Sequence, residues 1–224
     1  MIRAVIFDWG GTLTPWHTVD PQQVWIAAVG DEELAGRLHA AEDEVWVRSR
    51  DEQRSATLAE VFAACGVTPS AAMLAAYHSS WEPHTLLDPD VPALFAALHE
   101  RGIRIGVLSN TIWTREVHER IFARDAVLDL IDGAVYTSEI AWTKPHPEAF
   151  RAALAAVGVE EPADAVFVGD RPYDDIHGAK SAGLRAVLLP HSDIPNWQKG
   201  TVEGEPDAVV QRLADVLAVV DAWT

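Results

Sequence analysis

Asp8 closes the apolar run Ile2-Arg3-Ala4-Val5-Ile6-Phe7 and is followed at once by Trp9-Gly10-Gly11-Thr12-Leu13. A carboxylate at the end of a buried strand, with a flexible Gly-Gly and a hydroxyl behind it, stands where open α/β sheets present reactive groups. Three later segments end in the same manner. Arg104–Asn110 (RIGVLSN) runs into Ser109 and Asn110, Lys144 precedes Pro145, and Ala165–Gly169 (AVFVG) runs into Asp170, with Asp174 and Asp175 close behind. Brought together, these residues offer a carboxylate nucleophile, hydroxyl and amide donors, one cation and spare carboxylates for a hard metal. Mg²⁺ favours such a set, a few carboxylates completed by water and substrate phosphate. The combination outlines a phosphoryl-transfer site.

Taken singly, each residue has a plainer reading. A strand-end aspartate most often caps a turn or helix, Ser109-Asn110 has the form of an N-cap, and a lone lysine is usually a solvated one. Asp174 reads equally well as a first-turn acid on its helix. Lys144, Lys180 and Lys199 are the only lysines in the chain, which makes the placement of Lys144 more telling.

For these groups to meet, the segments must be parallel strands. After about residue 88 the chain alternates strand-like and helix-like stretches: strands at Arg104–Asn110, Gly133–Tyr136, Ala165–Gly169 and Arg185–Leu189, and helices at Glu116–Phe122, Pro147–Val157, Asp174–Ala182 and Asp207–Trp223. Alternation of this kind predicts a doubly wound parallel α/β sheet, Rossmann-like, with right-handed crossovers. Residues 15–87 break the rhythm. Val24–Val29, Glu32–Arg48, Ser55–Ala64 and Ala71–Trp81 all carry helical periodicity. The expected organisation is therefore a core from residues 1–14 and 86–224, with a helical cap of residues 15–85 inserted after the first strand.

The bulk composition bounds the partners. A formal charge of −17 and a pI near 4.7 argue against nucleic acid and anionic membranes. The 224 residues, 49% of them hydrophobic, suffice for one well-cored domain with an insertion. Neither a signal segment nor a membrane-length apolar run is evident, and Cys65 is the single cysteine, which reads as a small buried hydrophobe. A cytoplasmic protein acting on a small molecule is expected.

The four motifs, in this order, resemble those of the haloacid dehalogenase superfamily, in the subgroup with a helical cap after the first motif. Asp8-Trp9-Gly10-Gly11-Thr12 is similar to motif one, Val107-Leu108-Ser109-Asn110 to motif two, Lys144-Pro145 to motif three, and Gly169-Asp170 through Asp175 to motif four. The resemblance implies a hydrolase using Mg²⁺ on a small phosphorylated substrate. Asp8 would attack and form a covalent aspartyl intermediate. Thr12 would orient Asp8, and the Gly10 carbonyl would contact the metal. Ser109 and the Asn110 backbone would hold the transferring group, with Lys144 neutralising charge on Asp8 and the phosphoryl oxygens. Asp170 would bind Mg²⁺, and Asp175 would support the metal or its waters.

One position departs from the pattern. Phosphatases of the superfamily carry a second aspartate two residues after the nucleophile, as general acid and base, and here that place is Gly10. Phosphonate-cleaving members also lack it but need a cap lysine, and none lies between residues 1 and 143. Dehalogenase members lack it too, yet need no metal and differ in motif four. ATPase members lack it and transfer phosphate from a good leaving group. The expectation is a phosphohydrolase whose acid–base step is weakened or moved, with His17 and Asp20 as the nearest replacements. Two alternatives stand beside it: a weakly active or inactive phosphate-binding protein of the same fold, and a dehalogenase-like hydrolase. Substrate choice would rest with the cap, where Trp16, His17, Arg48, Arg50 and Arg54 suit either the substrate or the many cap acids. Trp142, two residues before Lys144, is expected in the core.

Overall fold

Ala4–Phe7 is strand β1, and each of its four residues is buried because it lies at the centre of the sheet. The computed structural model describes residues 1–15, 19–191, 199–200 and 204–223. Six strands form one sheet in the order β3-β2-β1-β4-β5-β6, and every pairing is parallel. The other strands are β2 (Arg104–Ser109), β3 (Gly133–Tyr136), β4 (Ala165–Gly169), β5 (Arg185–Leu188) and β6 (Ala208–Val209). A parallel sheet buried on both faces needs near-continuous apolar runs, which β1 (AVIF) and β4 (AVFVG) supply.

Alternate side chains divide the core in two. Val5, Phe7, Ile105, Val107, Val166 and Val168 point to one face, covered by α5 (Val91–Glu100) and α9 (Val216–Trp223). Ala4, Ile6, Leu108 and Phe167 point to the other, covered by α7 (Pro147–Ala156) and α8 (Gly178–Ser181). The strand order reverses beside β1, so the carboxyl ends of β1, β2 and β4 flank one crevice.

Between β1 and α5 the chain forms α1 (Pro21–Val29), α2 (Glu32–Glu52), α3 (Leu58–Ala64) and α4 (Ala71–Trp81). Each begins on a polar cap: Asp20 accepts from Gln22 N, Asp31 from Leu34 N, Thr57 from Glu60 N and Ser70 from Met73 N. A third apolar cluster holds them, with Trp25, Leu38, Val61, Phe62 and Tyr77 at its centre. The cluster continues into Ile112, Trp113, Val117 and Ile121, which lie after β2 and on α6 (Arg115–Arg124). The helical segment thus shares a core with the end of the sheet that carries the reactive groups.

Three expectations require correction. The predicted final helix over Asp207–Trp223 is shorter: β6 and a 3₁₀ turn precede α9, which starts at Val216. The Asp207 carboxylate is occupied by Ala186 N at 2.8 Å and Lys180 Nζ at 2.6 Å, which pins β6 to the sheet edge. The predicted helix over Asp174–Ala182 is a π-helical turn, Pro172–His177, running into the four residues of α8. Cys65 is half-buried at the end of α3 and packs against the third cluster rather than within it.

Candidate active site

Asp8 follows β1 directly, and its N–H still donates to Val168 O at 2.9 Å, so the strand pairing fixes its backbone. The chain then turns back sharply. Thr12 N and Thr14 N both donate to Trp9 O, at 3.3 and 3.0 Å, and Gly11 takes φ +89°, a left-handed conformation that favours glycine. This turn brings Thr12 Oγ1 within 3.4 Å of Asp8 Oδ2 and 3.2 Å of Asp170 Oδ1. One hydroxyl proton serves these two carboxylates, so Thr12 joins the ends of β1 and β4.

Lys144 is 2% exposed, and its ammonium reaches two carboxylates at once: Asp8 Oδ1 at 2.5 Å and Asp175 Oδ1 at 2.7 Å. Burial alone would lower its pKa, but the Asp175 and Asp8 charges outweigh that, and the net shift is upward. It is therefore a fixed cation. Asp175 is fully buried, and its other oxygen accepts from Arg171 N at 2.9 Å. Burial, with Asp8 adding repulsion, pushes Asp175 up to about 6 against the pull of Lys144. Gly169 makes room for this carboxyl, since a Cβ at Gly169 would overlap the Asp175 side chain.

Asp8, Asp170 and Asp175 each offer an oxygen within 4.8 Å of the others. Asp174 is buried at the cavity wall, and Arg171 Nη1 donates to it at 3.2 Å. Burial raises the Asp174 pKa despite that pairing. Four carboxylates here face two cations, Lys144 and Arg171, leaving a deficit of about two charges. A hard divalent ion fits such a site, because the spare donors are carboxylate oxygens and no sulfur or imidazole is among them.

These groups stand at one end of a cavity of about 560 Å³ that extends under α2 and α4. Asp8, Gly10, Ser109, Asn110, Lys144 and Arg171 line that end. The structure thus brings Asp8, Thr12, Ser109, Asn110, Lys144, Asp170 and Asp175 together. The Asn110 side chain faces the Lys144 backbone: its Nδ2 donates to Lys144 O at 3.0 Å, and Lys144 N donates to its Oδ1 at 2.8 Å.

Other expected residues lie elsewhere. Trp16 and His17 fall outside the described residues. The Asp20 carboxylate caps α1 in an exposed position and does not line the cavity. Arg48 donates to Ser55 O and approaches Glu60 at 3.6 Å, Arg50 pairs with Asp51, and Arg54 stacks over Trp142 at 4.6 Å. None of the three lines the cavity. Trp142 is half-buried rather than core: it stacks on His146 at 3.9 Å and ties the segment before Lys144 to the α2–α3 turn. Arg171 was not foreseen; the pattern that holds it is Arg171 three residues before Asp174, the spacing of an ion pair on one helical turn. The aromatic wall of the cavity was likewise unforeseen.

Comparison with known proteins agrees with this geometry. Residues 2–183 match the family described as haloacid dehalogenase-like hydrolase. The chain is 26% identical to a glyceraldehyde 3-phosphate phosphatase of Methanopyrus kandleri over 230 residues, covering 98% of this chain and 97% of that protein. It is 32% identical to a phosphoglycolate phosphatase of Rhodospirillum rubrum over 204 residues, 84% and 80% of the two chains. An L-2-haloacid dehalogenase from Xanthobacter autotrophicus shares the fold, with a TM-score of 0.69 at 22% identity over the full length of both chains. With residues 2–183 matched and the four motif segments converging on one crevice, the chain belongs to the haloacid dehalogenase-like hydrolases.

Proposed function

We propose that this hydrolase is a Mg²⁺-dependent phosphohydrolase acting on a small phosphorylated molecule in the cytoplasm, through an aspartyl-phosphate intermediate. The observation that carries the reading is the Lys144 ammonium bridging Asp8 and Asp175, with Asp170 beside them. Relatives along most of the chain are named as phosphatases, which favours phosphate esters over haloacids.

Asp8 attacks phosphorus with a carboxylate oxygen, and the bond from phosphorus to the leaving oxygen breaks. Lys144 keeps Asp8 ionised and carries part of the charge that develops on the phosphoryl oxygens. Ser109 and the Asn110 backbone hold those oxygens, and Thr12 fixes the rotamer of Asp8. Asp8 and Asp170 would hold Mg²⁺ together with the Gly10 carbonyl, while Asp175 supports them. The metal supplies neutralisation of the phosphate charge when bound. Water then attacks the aspartyl phosphate, releasing phosphate and restoring the carboxylate. Residues 15–85 act as the cap that excludes bulk water from the residue 1–14 and 86–224 core.

Gly10 supplies no proton to the departing oxygen. The leaving group therefore departs well only if it is a stable anion, as in aryl phosphates, acyl phosphates and anhydrides. Assay of these classes beside alkyl monoesters tests the reading. The expected result is Mg²⁺-dependent phosphate release, fastest for the good leaving groups and abolished in Asp8→Asn. Halide release from 2-haloacids without metal, or alkyl esters cleaved as fast as aryl esters, would overturn it.

A further inference from the structure

The far end of the cavity has a chemical character of its own. Trp9, Trp46, Tyr77, Trp81 and Trp113 line it. Four of these rings form a continuous wall from the residue after the nucleophile: Trp9 to Trp113 at 5.6 Å, Trp113 to Trp81 at 6.0 Å and to Tyr77 at 6.4 Å. Two carboxylates complete this end, Glu42 and Asp43, on the α2 turn that also carries Trp46.

Glu42 is 7% exposed, and among the described residues no lysine or arginine pairs with it. Its oxygens accept from Trp25 Nε1 at 2.8 Å and from the Tyr77 hydroxyl at 3.4 Å. These neutral donors orient the buried carboxyl group; burial raises its pKa, so a cation arriving beside it would favour the ionised form. Asp43 is half-buried and stands 3.6 Å from His39. Among the described lining residues, Lys144 and Arg171 are the only lysine and arginine, and both are engaged at the phosphoryl end by Asp8, Asp175 and Asp174. His39 and His84 are the other basic groups on the wall.

Aromatic faces with nearby carboxylates attract organic cations through the ring quadrupole and direct charge, and repel carboxylate groups. We propose that the cavity binds a substituted ammonium group, so that the substrate's leaving portion is an amine-bearing organic group. Glu42, Asp43 and the Trp46, Trp81 and Trp113 rings are its recognition site. As a statement about substrate class this rests on the phosphohydrolase reading above, but the binding site itself does not.

The test separates the two. Choline and its uncharged isostere 3,3-dimethylbutanol are titrated into the full-length protein, with tryptophan fluorescence as the readout, and 4,4-dimethylpentanoate serves as the anionic counterpart. Choline is expected to bind at least about tenfold more tightly than the neutral isostere, and the carboxylate more weakly than both. Asp43→Asn, at a half-exposed position, should narrow the choline preference about threefold, and Glu42→Gln should narrow it further. Equal or tighter binding of the neutral isostere to the unaltered protein overturns the proposal, whatever the variants do. In a parallel arm, two aryl monoesters of matched leaving group are compared, 4-(trimethylammonio)phenyl phosphate and 4-carboxyphenyl phosphate. Choline binding without hydrolysis of any phosphate ester, acyl phosphate or anhydride leaves the ammonium site standing and removes the phosphohydrolase reading. Hydrolysis that prefers the carboxylate-bearing ester removes the ammonium proposal alone.

Discussion

Asn110 and Lys144 exchange two hydrogen bonds, Nδ2 to the Lys144 carbonyl at 3.0 Å and the Lys144 N–H to Oδ1 at 2.8 Å. The amide therefore works as a clamp between the end of β2 and the segment that enters α7. Its effect reaches the catalytic end through the lysine backbone, which fixes where the ammonium meets Asp8 and Asp175. A long lysine side chain has many rotamers, and the two carboxylates hold it in place only if its origin stays put. Asn110→Ala is expected to lower kcat about 10- to 100-fold with KM changed less than about threefold, because small displacements of a catalytic group are costly. Steady-state kinetics on the best aryl phosphate checks this. A change confined to KM would place Asn110 in substrate contact instead.

Gly10→Asp is the second variant. A Cβ built at Gly10 meets nothing within 4 Å, and the backbone there is not left-handed, so the backbone accepts a side chain at this position. Gly10 lines the cavity beside Asp8, where a new carboxyl group would be within reach of the leaving oxygen. Turnover of alkyl monoesters should rise by about 10²-fold, in the range of general acid–base catalysis, with a smaller gain for aryl esters. Unchanged alkyl turnover in a folded, Mg²⁺-binding variant would show that proton delivery is not the limiting step.

The two sides of this site were unequally readable. Asp8, Ser109 and Asp170 follow from strand ends, because a buried parallel strand writes itself as an apolar run whose end opens on the crevice, whereas Lys144 lies eight residues after β3 and was legible only through its motif. Thr12 follows from the Gly-Gly turn. Arg171 does not, since its position depends on an ion pair with Asp174 inside a π-helical turn that mimics an ordinary helix start. The cavity wall was also hidden. Glu42 and Trp46 repeat at helical spacing like any amphipathic pair, and only the packing of α1 against both α2 and α4, with Trp113 in the same cluster, turns them toward the cavity. Arg48, Arg50 and Arg54 had the chemistry for phosphate but sit on the side of α2 and its following turn that pairs with Glu60, Asp51 and Trp142. The final helix was overextended because Asp207–Trp223 is apolar at helical spacing, while the ties of Asp207 to Lys180 and Ala186 are long-range.

His118 provides the third prediction, which concerns stability against pH. The ring is fully buried, stacked on Tyr136 at 4.4 Å and set edge-on to Trp9 at 4.6 Å, with Nε2 at 3.0 Å from Thr111 Oγ1. Burial, with His78 and Arg115 adding like charge, lowers its pKa from 6.5 to about 3. In the unfolded chain the same ring takes up a proton near 6.5. Between those values the unfolded state binds more protons, so stability falls as pH falls, and the full contribution is present only above 6.5. From pH 6.5 to 5 the loss from this one group is about 2 kcal/mol. His118→Phe keeps the aromatic packing beneath Trp9 and removes the titration. Urea unfolding at a series of pH values should show the variant losing about 2 kcal/mol less than the parent over that interval. A residual slope is expected from His78, whose pKa burial lowers to about 4. Parallel slopes for the two proteins would mean that the folded state accepts a charged His118, and that Trp9 beside the nucleophile rests on an imidazolium.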